Sequence, residues 1–334
     1  MRAAWAGALV LALAGSVSAA GPERVTGFVD VPQGRLWYDA QGQGPPLVLL
    51  HDGLLPSETW GLVLPTLARH YRVVRYDRRF YGRSRSDTGD YSNVDDLRRL
   101  LEHLDLAPAV LLGCSAGGGL ALDFALAEPE RVAALVLVGP VVSGFGLSEH
   151  FRERTLHNLS PTYFGRSQKE AVERWVSDRF LTDPRNGAAR ARLAELLARY
   201  PFAAGGGDTG GRPAAPPAVG RLDQVSVPAL LITGESDVPE VQAHIGVLAA
   251  GLARAERQVI AVAGHLPQLE RPEELAARVL DFLAPPTHVR ALLDDLRAEP
   301  GDTAALAYAA RARLEIQQAE GQKRERALVH ELSY

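Results

Sequence analysis

From residue 25 onward, short apolar runs alternate with longer segments in which apolar positions recur every three or four residues, the pattern of strands and helices in turn. Strands are expected at 25–31 and 35–40, as a hairpin around Pro32-Gln33-Gly34, and then at 47–51, 72–76, 109–113, 133–138, 229–232 and 258–262. Helices are expected at 57–70 and 93–104, and another opens after residue 115. Runs such as Leu47-Val48-Leu49-Leu50 are apolar without alternation, as deeply buried strands are. The pattern predicts a mostly parallel, doubly wound α/β sheet.

Between 141 and 222 the alternation stops. Helical patterns at 148–159, 168–181 and 187–200 lead into a Gly- and Pro-rich loop at 203–220, so this stretch reads as a helical insertion. After 285 the tail is strongly helical: Val289, Leu292, Leu293 and Leu296 fall on one face, Pro300-Gly301 interrupts, and two further helices are expected at 304–317 and 323–332. The small residues of DTAALAYAARARLEI resemble a tetratricopeptide unit faintly, but stacked arrays need about three repeats. The tail therefore reads as an extension docked on the body, or else as a protein contact or oligomer interface.

The leader has a different character. Arg2, an apolar run over 3–15 and the small residues Ser16 to Ala20 read as a signal peptide cleaved after Ala19 or Ala20, which predicts a periplasmic or extracellular protein. An uncleaved anchor is the weaker reading, because the run falls short of the roughly twenty residues of a span. The expected divisions are 1–20 leader, 21–140 and 223–285 the two parts of the α/β core, 141–222 the insertion and 286–334 the extension.

Composition narrows the function. A chain of 334 residues with 46% hydrophobic content can bury a large core, and a net charge of −4 without basic runs points away from nucleic acid and anionic membranes. No His, Cys, Asp or Glu cluster has metal-ligand spacing and no phosphate-binding loop is present, so no cofactor is expected. The one cysteine, Cys114, precludes an internal disulfide and reads as a small buried filler.

The candidate chemistry centres on VLLGCSAGGGLA. Gly113 and Gly117 flank Ser115 at two residues either side, between a strand and a helix, the spacing of a G-x-S-x-G nucleophile elbow. A serine hydroxyl is a weak nucleophile, so it needs a histidine base, and that base needs a carboxylate. Asp237 follows the 229–232 strand and His265 follows the 258–262 strand, each in the loop at a strand's C-terminal end. Glu235 is the alternative acid.

These residues, together with LVLLHDG at 47–53, VVRYDRRFYGRS at 73–84, AEPERVAALVLVGP at 127–140 and GHLPQLERPEEL at 264–275, make the chain resemble α/β-hydrolase-fold serine hydrolases from about residue 25 to 285. The resemblance implies an α/β-hydrolase fold, a Ser115, Asp237, His265 triad, a cap formed by 141–222, and an oxyanion hole made by the N–H groups of Gly53 and Ala116, with Leu54 as a substitute for Gly53. Two positions depart from the family. Asp52 stands where His-Gly is usual and is expected to turn away and offer only its backbone, and Phe80 replaces a glycine of the arginine loop. His51 reads as a buried loop histidine, and Asp77 and Arg79 are expected to pair with each other. Cap aromatics such as Phe151, Trp175 and Phe180 are expected mainly to pack within the cap. The implied activity is hydrolysis of a small-molecule carboxylic ester or lactone through an acyl-enzyme. Proline iminopeptidase-like cleavage, or ligand binding with little turnover, is the alternative.

Overall fold

The computed structural model describes residues 24–87, 90–163, 167–200 and 211–284, the side chains of 159–163 excepted. The leader and the helical extension expected after 285 lie outside these residues. Nine strands form one sheet: β1 (Val25–Val31), β2 (Gly34–Gln41), β3 (Pro46–Leu50), β4 (Arg72–Tyr76), β5 (Arg85–Ser86), β6 (Ala109–Cys114), β7 (Val132–Val138), β8 (Ala229–Gly234) and β9 (Ala255–Ile260). Their order is β1-β2-β4-β3-β6-β7-β8-β9, with β5 beside β2. The β1–β2 hairpin and the β2–β4 pairing are antiparallel; from β4 to β9 every pairing is parallel.

Sequence explains the centre of this sheet. Strands β6 and β8 are buried at every position and β3 and β7 at nearly every one, because helices cover both faces and leave no polar side. The core they share holds Leu111, Leu120, Phe124, Leu135, Leu137, Leu231 and Ile245. Phe124 is fully buried, and its truncation to alanine costs about 3–5 kcal/mol. The helix Asn93–Leu104 begins where Ser92 accepts a hydrogen bond from Asp95 N–H, buries Leu97, Leu100 and Leu101, and ends at Asp105 in the left-handed region.

Three elements differ from expectation, one of them the helix expected at 168–181, which ends at Ser177. The helix expected at 57–70 is only a 3-10 turn at Ser57–Trp60 and a single turn at Leu64–Leu67, since Gly61 and Pro65 interrupt it and Ser57 is drawn to Asp77. The last strand ends at Ile260 rather than 262 because Val262 takes a positive φ of 55°.

Chain direction across the sheet reverses between β3 and β6: from β3 the chain moves to β4 on one side, then returns to β6 on the other. Such a switch point opens a crevice at the carboxyl ends of the strands. The loops after β3 and β6, which carry Asp52-Gly53 and Ser115, border it. Between β7 and β8 lie the helices Glu149–Tyr163, Gln168–Ser177 and Gly187–Arg199, where the cap was expected.

Candidate active site

Ser115 leaves β6 at φ 53° and ψ −118°, a conformation costly for a residue with a side chain, and enters the helix Ala116–Ala127. Its backbone is fastened on both sides. Ser115 N–H donates to Val138 O at 2.9 Å, and Ser115 O accepts from Gly119 N–H at 3.0 Å and Val141 N–H at 3.2 Å. The flanking glycines are required by crowding. A Cβ on Gly113 would run into the Gly117 carbonyl, and one on Gly117 would run into the carbonyls of Leu50 and His51. The Ser115 hydroxyl does not cap its own helix. Nor does it bond to His265 among the described residues, a contact that in ligand-free hydrolases often closes only with substrate.

Asp237 and His265 meet. His265 Nδ1 lies 2.8 Å from Asp237 Oδ1, which also accepts from Val238 N–H at 2.7 Å, while Asp237 Oδ2 is buried without a partner. Glu235 points elsewhere, its Oε2 accepting from Val262 N–H and lying 3.4 Å from Arg185 Nη2. Gly139, at φ 50°, lets the pair stand close to the elbow, since a Cβ there would lie 2.9 Å from Asp237 Oδ2 and 3.0 Å from His265 Nδ1. Cys114, next to the serine, is fully buried with Sγ 3.6 Å from His265 O, and burial pushes its thiol well up, as suits a filler.

The basicity of His265 is a balance of opposed effects. Burial disfavours the imidazolium, the charge and hydrogen bond of Asp237 favour it, Arg154 opposes it and Asp52 supports it, leaving the pKa above the usual 6.5. Arg154, on the helix Glu149–Tyr163, carries no motif in the sequence; only the fold brings its charge near this histidine.

Around the expected oxyanion hole, a Cβ built on Gly53 would stand 3.6 Å from that of Ala116, so the two residues lie side by side. Leu54 N–H is engaged, donating to Asp52 Oδ1 at 2.7 Å, and Leu55 N–H donates to the same oxygen at 2.8 Å. Asp52 thus turns its carboxylate back into its own loop. Its carboxylate organises the loop from within, and burial raises its pKa against the pull of those N–H groups. Asp52 O is held from the other side by Arg78 Nη2 at 2.7 Å and by His51 Nδ1 at 2.7 Å. Since His51 Nε2 accepts from Arg78 N–H, its Nδ1 carries the proton, and burial with Arg78 nearby keeps this ring neutral. His51 is the loop histidine expected.

The expected Asp77–Arg79 pair does not form. Arg79 makes a two-pronged bond to Asp96, with Nε–Oδ2 at 2.7 Å and Nη2–Oδ1 at 2.9 Å, whereas Asp77 accepts from Ser57 N–H and Oγ–H and from Arg83 N–H. Both are buried, and Asp96 is the acid that Arg79's direction meets. Phe80 adopts φ 66°, which explains why glycine is usual there. Of the cap aromatics, Trp175 is buried within the cap and Phe180 reaches the His265 loop through its carbonyl oxygen, while the side chains of Tyr163, Phe164 and Phe202 lie outside the described residues.

The sequence pattern of the Alpha/beta hydrolase family matches residues 47–278. A 2-hydroxy-6-oxononadienedioate/2-hydroxy-6-oxononatrienedioate hydrolase of Paraburkholderia xenovorans (strain LB400) is 31% identical over 304 residues, covering 80% of this chain and 99% of its own. Among solved structures, a thermophilic esterase from Thermogutta terrifontis superposes with a TM-score of 0.63 at 25% identity over 78% of this chain and 98% of its own. Est816, described as an N-acyl homoserine lactone degrading enzyme, gives 0.61 at 25% identity over 77% of this chain and all of its own.

Proposed function

The chain belongs to the alpha/beta hydrolase family, and from that premise we propose that it is an exported serine hydrolase acting on a carboxylic ester or lactone through an acyl-enzyme on Ser115. The observation that carries the reading is the 2.8 Å contact of His265 Nδ1 with Asp237 Oδ1, packed against Gly139 at the end of β7. With Nδ1–H held by the carboxylate, His265 Nε2 is the basic nitrogen. It takes the Ser115 proton as Oγ attacks the carbonyl carbon, and then delivers that proton to the departing alkoxide. Water repeats the sequence and releases the acid. The N–H groups of Gly53 and Ala116, at the N-terminus of the elbow helix, receive the developing oxyanion.

The P. xenovorans relative supports a second reading. A 2-hydroxy-6-oxo-dienedioate contains no ester, so its hydrolysis breaks a carbon–carbon bond beside a ketone. The same groups would serve, with carbon instead of oxygen leaving. Export rests on the leader alone, which lies outside the described residues.

The test is labelling of the purified protein with a fluorophosphonate and mapping of the modified peptide, alongside turnover of p-nitrophenyl esters, lactones and an oxo-dienoate. Modification at Ser115 with ester or lactone turnover is expected. Labelling at another serine overturns the assignment, and turnover of the oxo-dienoate alone moves it to the second reading.

A further inference from the structure

Asp183 ties the loops of the candidate acid and the candidate base to one another from outside the sheet. Strands β8 and β9 pair only as far as Gly234 and Ile260, so the ladder ends before Asp237 and His265 are reached. Among the described residues β9 is the edge of the sheet, and no further strand steadies the loops beyond it. Backbone bonds from Glu235 N–H to Ile260 O and from Ser236 N–H to Ala263 O, each at 2.9 Å, carry the pairing a short way on. Past them the two loops are joined through Asp183.

Asp183 comes from the helical insertion, between the helices Gln168–Ser177 and Gly187–Arg199, and is 1% exposed. Its Oδ2 accepts the Ser236 hydroxyl at 2.8 Å, and its N–H donates to Glu270 Oε1 at 2.6 Å. The other oxygen of Glu270 accepts Gly264 N–H at 2.7 Å. Ser236 and Gly264 immediately precede Asp237 and His265, so one residue of the insertion grips both loops at the last position before the candidate chemistry. Arg185 fixes that residue in turn, with Nε 2.8 Å from Oδ1 and Nη2 2.8 Å from Oδ2, and these bonds hold the Asp183 carboxyl well below the usual carboxylate range. Asn186 braces the same turn, its Nδ2 donating to Glu270 O at 2.9 Å. A hydrogen bond to an ionised acceptor held in place is stronger and shorter than one to a neutral group, which suits the Ser236 tie to setting a distance.

We propose that Asp183 is a positioning residue for the Asp237–His265 pair, setting the separation of their loops through Ser236 on the acid side and Glu270 on the base side. This rests on the serine hydrolase reading, in which that separation decides whether His265 is aligned to take the serine proton. The insertion is then part of the catalytic frame, because a displacement around Asp183 changes the acid–base contact without altering either residue. A misplacement of about 1 Å can lower a rate on the order of a hundredfold, so the tie is felt in kcat rather than in substrate binding.

Ser236→Ala cuts the tie and removes no charge, so a fall in the His265 pKa in this variant reports a loosened contact with Asp237, whose charge and hydrogen bond hold that value up. The ring is followed by NMR titration, with His265→Ala to assign its resonance, alongside kcat and KM for p-nitrophenyl butyrate. Ser236→Ala should show that fall together with a kcat lowered about tenfold or more at nearly constant KM, and Ser236→Thr, which restores a hydroxyl, should reverse both. Asp183→Ala should lower kcat similarly, and adding Ser236→Ala to it should lower kcat no further, because both changes cut the same bond. A His265 titration in Ser236→Ala that matches the intact protein's overturns the inference and leaves the hydrolase reading untouched. Failure of the intact protein to turn over any ester, lactone or oxo-dienoate strikes the hydrolase reading instead, while the titration still decides whether Asp183 sets the contact. If Ser236→Ala does not fold, Asp183→Ala decides, and a kcat within about twofold of the intact enzyme's overturns the inference.

Discussion

His265 donates its backbone N–H to the carbonyl oxygen of Phe180 at 2.9 Å, and Leu266 N–H follows to Leu181 O at 3.2 Å. The loop bearing the candidate base is therefore fastened to the segment that leaves the cap helix Gln168–Ser177. Glu270 reinforces the join from below, accepting from Asp183 N–H at 2.6 Å and Gly264 N–H at 2.7 Å. The helical insertion and the loop of the candidate base share one hydrogen-bonded support, so a change near Phe180 is transmitted to the position of His265.

Ser115→Ala and His265→Ala should each lower kcat for a p-nitrophenyl ester by about three to six powers of ten, and the double variant should be little worse than either, because the two groups act as one unit. Steady-state rates of the three proteins check this. Losses that multiply would mean the residues work independently.

Burial lowers the pKa of His265, but the charge and hydrogen bond of Asp237 outweigh it and raise the value overall; on the proposed mechanism the neutral ring is the active form, so the acid limb of the pH–rate profile should sit higher than an ordinary imidazole would place it. In Asp237→Asn the limb should move to lower pH while the plateau falls by about two to four powers of ten. Glu235→Gln, altering a carboxylate turned toward Val262 and Arg185, should leave both unchanged. A limb that moved in the Glu235 variant and stayed in the other would reassign the acid.

Asp52→Ala should remove the acceptor of Leu54 and Leu55 N–H, costing on the order of 1–3 kcal/mol for each donor left buried. The loop carrying Gly53 should loosen with it, lowering kcat more than it raises KM. Urea titration and kinetics on the same preparation measure both. An unaltered urea midpoint would show that the carboxylate does not organise this loop.

Burial pushes the Glu270 carboxyl up to about 7, against the N–H groups of Asp183 and Gly264, with the Asp183 and Asp237 charges adding to the rise. A carboxyl whose folded pKa exceeds its unfolded value of about 4.5 contributes stability below that value and loses it as pH rises through about 7. Stability should decline by on the order of 1–3 kcal/mol between pH 4.5 and 7.5, and Glu270→Gln should flatten that slope. Melting temperatures across the interval are the measurement, and equal slopes in the two proteins would rule the effect out.

Much of this molecule can be read from short windows of sequence. The helix Asn93–Leu104 coincides with its predicted span because Ser92 caps it and Leu97, Leu100 and Leu101 mark its buried face. The segment at 57–70 is not one helix because its amphipathic pattern conceals Pro65 and the pull of Asp77 on Ser57. Leu54 could be set aside as an oxyanion donor only once Asp52 Oδ1 was seen to hold its N–H.

By itself the sequence determined the order of the sheet's chemistry: a serine between glycines after β6, an acid after β8 and a histidine after β9. Each is a local instruction, since apolar runs make strands and the elbow's crowding requires glycine at 113 and 117, two residues either side of the serine. Tertiary structure alone decided which charges face one another. Arg79 found Asp96 rather than Asp77, Asp52 turned its carboxylate into its own loop, and Arg154 came to rest beside Phe180 and the His265 loop. Periodicity and backbone strain act over a few residues, whereas an ion pair or a hydrogen bond chooses among whatever groups packing has brought within about 4 Å, and that set exists only once the chain is folded.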